Sequence, residues 1–206
     1  CLQRVAPSDA ADNPTSRIQH PPTGREWDPT DVQGIDSTYC NIPRVDASTL
    51  TREAFEVTYL EKHPVILRGA TETGRVTELV RRWYVLDRHG NMSVTLSTAN
   101  KNSYAKRDVI LREYVESETY MGPQPLERSG ADSWYMFGDH ASGAWRDVWA
   151  AYELPKAYMF GRHGASLSFG IGPAGSGVPF HTHGHVFNEV FFGRKRWWLQ
   201  RPSRNT

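Results

Sequence analysis

Two histidines near residue 180 have a spacing that suits metal ligands. His181 and His183 stand two residues apart in a run of alternating aromatic and polar residues, 178–200. In a β-strand, residues i and i+2 project from the same face, so both imidazoles would point into one pocket. Neutral imidazole is the commonest ligand for mid-row divalent metals. The same spacing suits a strand with two half-buried histidines hydrogen-bonded to neighbours, so the spacing leaves both interpretations open.

Two other kinds of site are disfavoured by the residues that precede this run. The loop at residues 172–177 is rich in glycine, but no predicted helix follows it and it lacks the Gly-Lys-Ser/Thr of a phosphate-binding loop. Ser176 lies between two glycines without the Gly-x-Ser-x-Gly pattern of a hydrolase nucleophile. Metal chemistry is therefore the interpretation that these residues favour.

The composition is typical of a globular protein and argues against two kinds of partner. The chain has 206 residues, of which 38% are hydrophobic and 23% are charged. With 24 basic and 23 acidic side chains the net charge is +1, so electrostatic capture of nucleic acid has no support. No apolar run approaches the length of a membrane-spanning helix.

Cysteine usage and a glycosylation pattern say little about the compartment. Cys1 and Cys40 could pair with each other, could each pair with a partner outside this stretch, or could remain reduced thiols. Asn91-Met92-Ser93 fits the N-glycosylation acceptor pattern, which supports a secretory location weakly.

The order of the predicted elements favours an α+β fold with a mainly β core. Residues 1–43 are rich in Pro, Asp, Ser, Thr and Gly and are interpreted as a flexible N-terminal arm. Helices then come first and strands accumulate late, which argues against alternating βαβ units. The predicted helices are 48–62, 77–86, 109–118 and 145–154; the predicted strands are 64–69, 93–97, 134–139, 166–171, 178–183, 187–192 and 195–200, with a tight turn at Gly193-Arg194.

The motifs of the final segment resemble the JmjC (jumonji C) branch of the cupins. The resemblance rests on Gly177-Val178-Pro179-Phe180-His181 with His183, and on Gly193-Arg194-Lys195-Arg196-Trp197, and it covers roughly residues 40–206. It implies a cupin-like double-stranded β-helix, or jelly roll. Residues 44–165 would be its N-terminal helical and strand part, and residues 166–206 the first strands of its core. The C-terminal strands would be missing, so the chain is interpreted as truncated.

The resemblance also implies a site for Fe(II) and 2-oxoglutarate. His181 matches the first metal-binding histidine of the family, and Lys195 matches the lysine that pairs with the 2-oxoglutarate carboxylate. Asn188 and Tyr135 match positions that help to hold this co-substrate. His183, assigned to the metal with His181, stands where the family has Asp or Glu.

Two further features weaken the implied metal site. The distal histidine strand of the family is absent from these 206 residues. Glu189 would face away from Asn188 in strand alternation, so it is not expected to replace the missing carboxylate. The resemblance thus implies a recognisable but incomplete site.

Two functions follow from the resemblance. The first is a non-catalytic or weakly active regulatory or scaffold protein of the endoplasmic reticulum lumen, with a degenerate Fe(II)/2-oxoglutarate-type site. The alternative is an Fe(II)- and 2-oxoglutarate-dependent protein hydroxylase. Either implies a protein partner or protein substrate. Cys40 is predicted to form a disulfide with a cysteine in the missing C-terminal part.

Overall fold

Helices and strands alternate irregularly along the chain in a computed structural model. It describes residues 2–4, 26–28, 39–98, 105–122, 133–139, 143–155, 167–178 and 180–201. Six α-helices and eight strands lie in these ranges. This mixture of helices with an antiparallel sheet confirms the α+β prediction.

The largest sheet has four antiparallel strands in the order β5-β4-β6-β7. These strands are β4 (Ser93–Thr98), β5 (Lys106–Ile110), β6 (Trp134–Asp139) and β7 (Ser168–Ile171). Leu96 pairs with Met136, and Met136 pairs with Ile171. All three side chains are buried, so they form a row across one face of the sheet. The alternation of β4 sets this face, because every second residue of a strand points the same way.

The described residues also form two small sheets of two strands each, which share no strand with the large sheet. β2 (Arg44–Asp46) runs parallel to β3 (Ile66–Arg68). β1 (Leu2–Arg4) runs antiparallel to β8 (Arg194–Arg196), with Gln3 opposite Lys195. The beginning of the chain therefore pairs with the segment that carries Lys195.

Helices cover the buried face of the large sheet. The helices are α1 (Arg52–Thr58), α2 (Gly74–Leu79), α3 (Arg82–His89), α4 (Leu111–Glu116), α5 (Glu118–Met121) and α6 (Arg146–Ala151). Buried side chains come from α2, α3, α4 and α6 as well as from the strands: Val76, Leu79, Val85, Leu86, Leu111, Tyr114, Val115, Val148 and Ala151. Together with Trp145 they pack on the row of strand residues. The described core is therefore shared between helices and sheet, and the prediction of a mainly β core is wrong for it.

Several predicted elements begin or end elsewhere. The helix predicted at 48–62 is the shorter α1, which is capped by Thr51, because its Oγ1 accepts a hydrogen bond from the Ala54 N–H at 3.1 Å. The helix predicted at 77–86 is two helices, since Arg81 between them has an extended backbone. The helix predicted at 109–118 begins at Leu111, after a strand.

The strands predicted around the histidine pair are wrong. The described residues of 178–183 and all of 187–192 form no strand, and the strand predicted at 195–200 is the three-residue β8. A strand needs a neighbour to satisfy its N–H and C=O groups, and alternation in sequence does not supply one. The tight turn predicted at Gly193-Arg194 is a bend that ends at Gly193, whose φ is 81°, and Arg194 already belongs to β8. The described strands do not close into a jelly roll, which stays a prediction from the family.

Part of the predicted arm contacts the helices. The Trp27 indole N–H donates to the Val80 carbonyl at 2.8 Å. The Glu26 carboxylate accepts from the Arg81 guanidinium at 3.0 Å and from the Arg82 N–H at 2.9 Å. Residues 26–28 are therefore held at the junction of α2 and α3. The division of the chain at residues 43 and 165 stays a prediction.

Cys40 is disulfide-bonded. The sequence holds one other cysteine, Cys1, which lies outside the described residues. The prediction that Cys40 forms a disulfide is confirmed, and the identity of its partner stays a prediction. A disulfide stabilises a fold mainly by restricting the unfolded chain.

Tyr114 provides a test of how α4 is joined to the sheet. Its buried hydroxyl donates to the Ile171 carbonyl at 2.8 Å, and burial raises the pKa of this phenol. Tyr114→Phe should lower the free energy of unfolding by roughly 1–2 kcal/mol, because the carbonyl loses its side-chain donor. Urea denaturation measures this. Tyr120→Phe is the control, since its hydroxyl bonds the exposed Arg107, and it should cost less; an equal cost would contradict the assignment.

His89 should make the fold sensitive to acid. It is buried, its ring lies 4.4 Å from that of Trp145, and burial lowers its pKa below the ordinary 6.5. As the pH falls, His89 therefore binds a proton at a higher pH in the unfolded chain than in the folded chain. The part of the folding stability that depends on neutral His89 is complete above pH 6.5 and is lost below it. Thermal unfolding between pH 7.5 and 5 should show a smaller loss for His89→Phe than for the wild type. Substituting the exposed His63 by Phe should leave the loss unchanged.

Candidate functional site

The two predicted metal ligands lie together on the surface. The rings of His181 and His183 have centroids 6.0 Å apart at an interplanar angle of 71°, and both side chains are exposed. They do not project from a strand into a pocket, as the sequence had predicted. Modest rotation of exposed side chains would let both imidazoles reach one ion at about 2 Å, the usual metal–nitrogen distance.

No carboxylate in the described residues completes this pair. Glu189 accepts hydrogen bonds from the Thr71 hydroxyl at 2.7 Å and from the Tyr152 hydroxyl at 2.8 Å. Glu61 lies 3.1 Å from the ring of His185. Across the described ranges, no group of three or more His, Cys, Asp or Glu side chains could hold a metal ion.

Glu189 instead joins the C-terminal segment to the helical part of the fold. Burial, together with the negative charge of Glu189, raises the pKa of Tyr152 far above its ordinary 10.0, so the phenol stays a donor. Phe191 lies edge-on to the Tyr152 ring at 6.1 Å, and Phe192 also packs against the core. The contacts of Glu189, Phe191 and Phe192 therefore position Asn188 and the residues before it.

Lys195 lies on the outer face of β8. Its side chain is exposed, and its ammonium lies 4.5 Å from the centroid of the Trp197 ring. Partial desolvation there lowers the pKa of Lys195. The flanking Arg194 and Arg196 are more buried, as alternation along a strand requires.

Arg196 is a polar group that the sequence reasoning did not select. Its Nε and Nη2 atoms are buried and have no hydrogen-bond partner among the described residues. The carbon of the guanidinium lies 5.7 Å from the Trp198 ring. Strand alternation in Gly-Arg-Lys-Arg-Trp-Trp already implied that Arg196 and Lys195 face opposite ways, and this signal could have found it.

The other two predicted co-substrate residues lie on different elements. Asn188 is half-buried in the C-terminal segment, and in the part of the chain that the structure describes its buried Oδ1 has no hydrogen-bond partner. Tyr135 is half-buried in β6 opposite Ser97, with its ring 6.1 Å from that of Phe137. Orphaned polar atoms of this kind mark positions where a polar ligand would be favourable.

Comparison with known proteins gives three relatives of the same name, and no protein-family model matches the chain. JmjC domain-containing protein 8 of Rattus norvegicus is 39% identical over 175 residues, which are 85% of this chain and 63% of that protein. The protein of that name from Homo sapiens is 41% identical over 165 residues, 80% of this chain and 61% of that protein. For Mus musculus the values are 40%, 165 residues, 80% and 60%.

The chain spans roughly three fifths of the length of the curated relatives it matches.

Among the helices in the described ranges, none has the length and apolarity needed to cross a membrane.

The bond between Glu189 and Tyr152 should be measurable by a double-mutant cycle. Glu189→Gln and Tyr152→Phe should each destabilise the fold, and their coupling should be about 1–2 kcal/mol because a charged acceptor strengthens the bond. Chemical denaturation of the two single variants and the double variant gives this coupling. Glu153→Gln, at an exposed carboxylate, is the control and should show no coupling to Tyr152→Phe; a cycle that closes to zero for Glu189 would contradict the contact.

Proposed function

This chain is related to the JmjC domain-containing proteins, and we propose that it is a member with a degenerate Fe(II)/2-oxoglutarate-type site. It acts as a non-catalytic or weakly active regulatory or scaffold protein of the endoplasmic reticulum lumen. Its role is to bind a protein partner.

The observation that carries this proposal is the incomplete metal site. Non-haem iron oxygenases commonly hold Fe(II) with two histidines and one carboxylate on one face. Here the paired side chains are both imidazoles, His181 and His183, and Glu189 is held by Thr71 and Tyr152. A neutral imidazole in place of a carboxylate leaves an Fe(II) site one charge more positive. The described residues therefore do not fit the metal, and no chemical step is assigned to it.

Exposed apolar side chains in the same segment of the chain as the histidines support a protein partner. Phe180 is 65% exposed and Trp198 is 59% exposed, and Val178, Val186 and Phe187 are exposed as well. Exposed apolar patches mark surfaces that other molecules cover, because their burial removes apolar area from water.

The disulfide of Cys40 supports the lumenal location. Disulfides persist in oxidising compartments and are rare where thiols are kept reduced. The acceptor residue Asn91 is exposed just before β4, as a glycosylated asparagine must be.

The second candidate function is that of an Fe(II)- and 2-oxoglutarate-dependent protein hydroxylase. It is favoured by the closeness of the two imidazole rings, whose centroids are 6.0 Å apart, and by the buried polar atoms of Asn188 and Arg196, which have no partner within the described ranges. Both features suit a site built to hold a polar co-substrate beside an ion.

Metal titration separates the two functions. For the non-catalytic member we expect weak Fe(II) or Mn(II) binding by calorimetry and no consumption of 2-oxoglutarate. His183→Asp should tighten metal binding, because an anionic oxygen ligand replaces a neutral nitrogen. His185→Asp, two residues further along the chain, is the matched control and should bind metal no more tightly than the wild type.

If the wild type bound Fe(II) or Mn(II) tightly at one ion per chain and also turned over 2-oxoglutarate, the non-catalytic function would be contradicted and the hydroxylase function would be supported. Turnover in His183→Asp alone would show that position 183 is where the site was lost.

A further inference from the structure

The short strand β1 lies on β8, which is distant from it in the sequence. Leu2 lies opposite Arg196, and Arg4 lies opposite Arg194, in antiparallel register. In the described ranges neither strand pairs with a third one. An isolated pair of short strands is marginally stable, and bringing distant segments of a chain together costs conformational entropy. Strand pairing alone is therefore a weak reason for β1 to stay on β8.

Cys40 stands beside a part of the fold that is fixed by backbone hydrogen bonds. It is disulfide-bonded and half-buried. Shortly after it, the Pro43 carbonyl accepts the Ile66 N–H at 2.9 Å, and β2 then runs along β3. The Ala47 N–H donates to the Arg68 carbonyl at 2.8 Å beyond the end of β2. A segment that is bonded to Cys40 is thus attached to backbone whose position the fold sets.

Cys1 is the partner for Cys40 that this sequence supplies. The sequence holds two cysteines, and Cys1 immediately precedes β1. A bond between Cys1 and Cys40 would join β1 to the backbone that leads into β2. Such a cross-link restricts the chain while β1 is away from β8, so the entropy lost when β1 settles on β8 is smaller. The disulfide of Cys40 and the position of β1 then have one explanation.

We propose that Cys40 is bonded to Cys1, and that this bond holds β1 on β8 as a strap that a dithiol reductant releases. With the strap in place, β8 has a strand along one edge. With the strap released, backbone N–H and C=O groups of Arg194–Arg196 turn to solvent, as at any open strand edge. The proposal goes beyond the proposed function, because it involves neither a metal ion nor 2-oxoglutarate, and the two can fail separately.

Release of the strap is a thiol–disulfide exchange. A thiolate of the dithiol attacks one sulfur of the Cys1–Cys40 bond and forms a mixed disulfide with it, while the other cysteine leaves as a thiolate. The second thiol of the reductant then closes the reductant's own disulfide and releases the first cysteine. Two electrons and two protons pass from the dithiol to the two cysteines. Cys40 is half-buried and Tyr39 beside it is exposed, so a reductant reaches this bond from the surface.

Peptide mapping of protein prepared without reductant tests the identity of the partner. Trypsin cleaves after Arg4, Arg25 and Arg44, so the bond should appear as peptide 1–4 linked to peptide 26–44. Dithiothreitol should split this species into its two peptides, which mass spectrometry detects. Cys40 found in any other linkage, or as a free thiol, would overturn the proposal.

Hydrogen exchange of the whole chain tests whether the bond holds the strap. Treatment with dithiothreitol should make the amides of β8 exchange about tenfold faster or more, because their partner strand leaves. The amides of β4 should keep their exchange rates, since β4 is paired with β5 and β6 in the large sheet. Unchanged exchange in β8 would contradict the strap. Equal acceleration in β4 would also overturn it, because the bond would then support the whole fold.

A variant without cysteines separates the effect of the bond from that of the reagent. Cys1→Ser/Cys40→Ser should exchange at β8 as fast as the reduced wild type, and dithiothreitol should cause no further change. The exchange of β4 in the same sample reports whether this variant is folded. If β8 in a folded variant were as protected as in the oxidised wild type, the strap would not depend on the disulfide and the proposal would be wrong.

Discussion

The fold depends on the burial of one face of a four-stranded sheet under four short helices. Leu96, Met136 and Ile171 lie side by side across three strands, and helix residues close over them. The Tyr114 hydroxyl bonds the carbonyl of Ile171, the last residue of β7. The chain leaves the sheet at this point for the histidine segment. Packing of α4 on the sheet therefore sets where the candidate site begins.

The candidate site is held by few contacts among the described residues. Glu189, Phe191 and Phe192 attach the segment to the helical part, while the described residues around His181 and His183 pair with no strand. The nearest carboxylate in sequence, Glu189, accepts hydrogen bonds from two hydroxyl groups. No carboxylate in the described ranges joins the two histidines in a group that could hold a metal ion.

Local sequence patterns predicted the elements that form within one strand or one helix. The strand at 134–139 has the predicted ends, and the strand at 93–97 extends by one residue. Both have alternation or an aromatic run that favours a strand before any partner is considered. The prediction failed where a strand needs a partner. The runs 178–183 and 187–192 alternate equally well, but their described residues pair with no strand in the described ranges.

The sequence by itself determined the family relationship, the α+β class and the chemical identity of the site residues. Histidine stands at position 183 whatever the fold, so the missing carboxylate was visible in the sequence. The tertiary structure decided which side chains have partners. Glu189 is engaged by Thr71, 118 positions away in the chain, and by Tyr152, and no local pattern reports such contacts. The Nε and Nη2 atoms of Arg196 are buried without an acceptor among the described residues for the same reason, because burial depends on what the rest of the chain packs around a side chain.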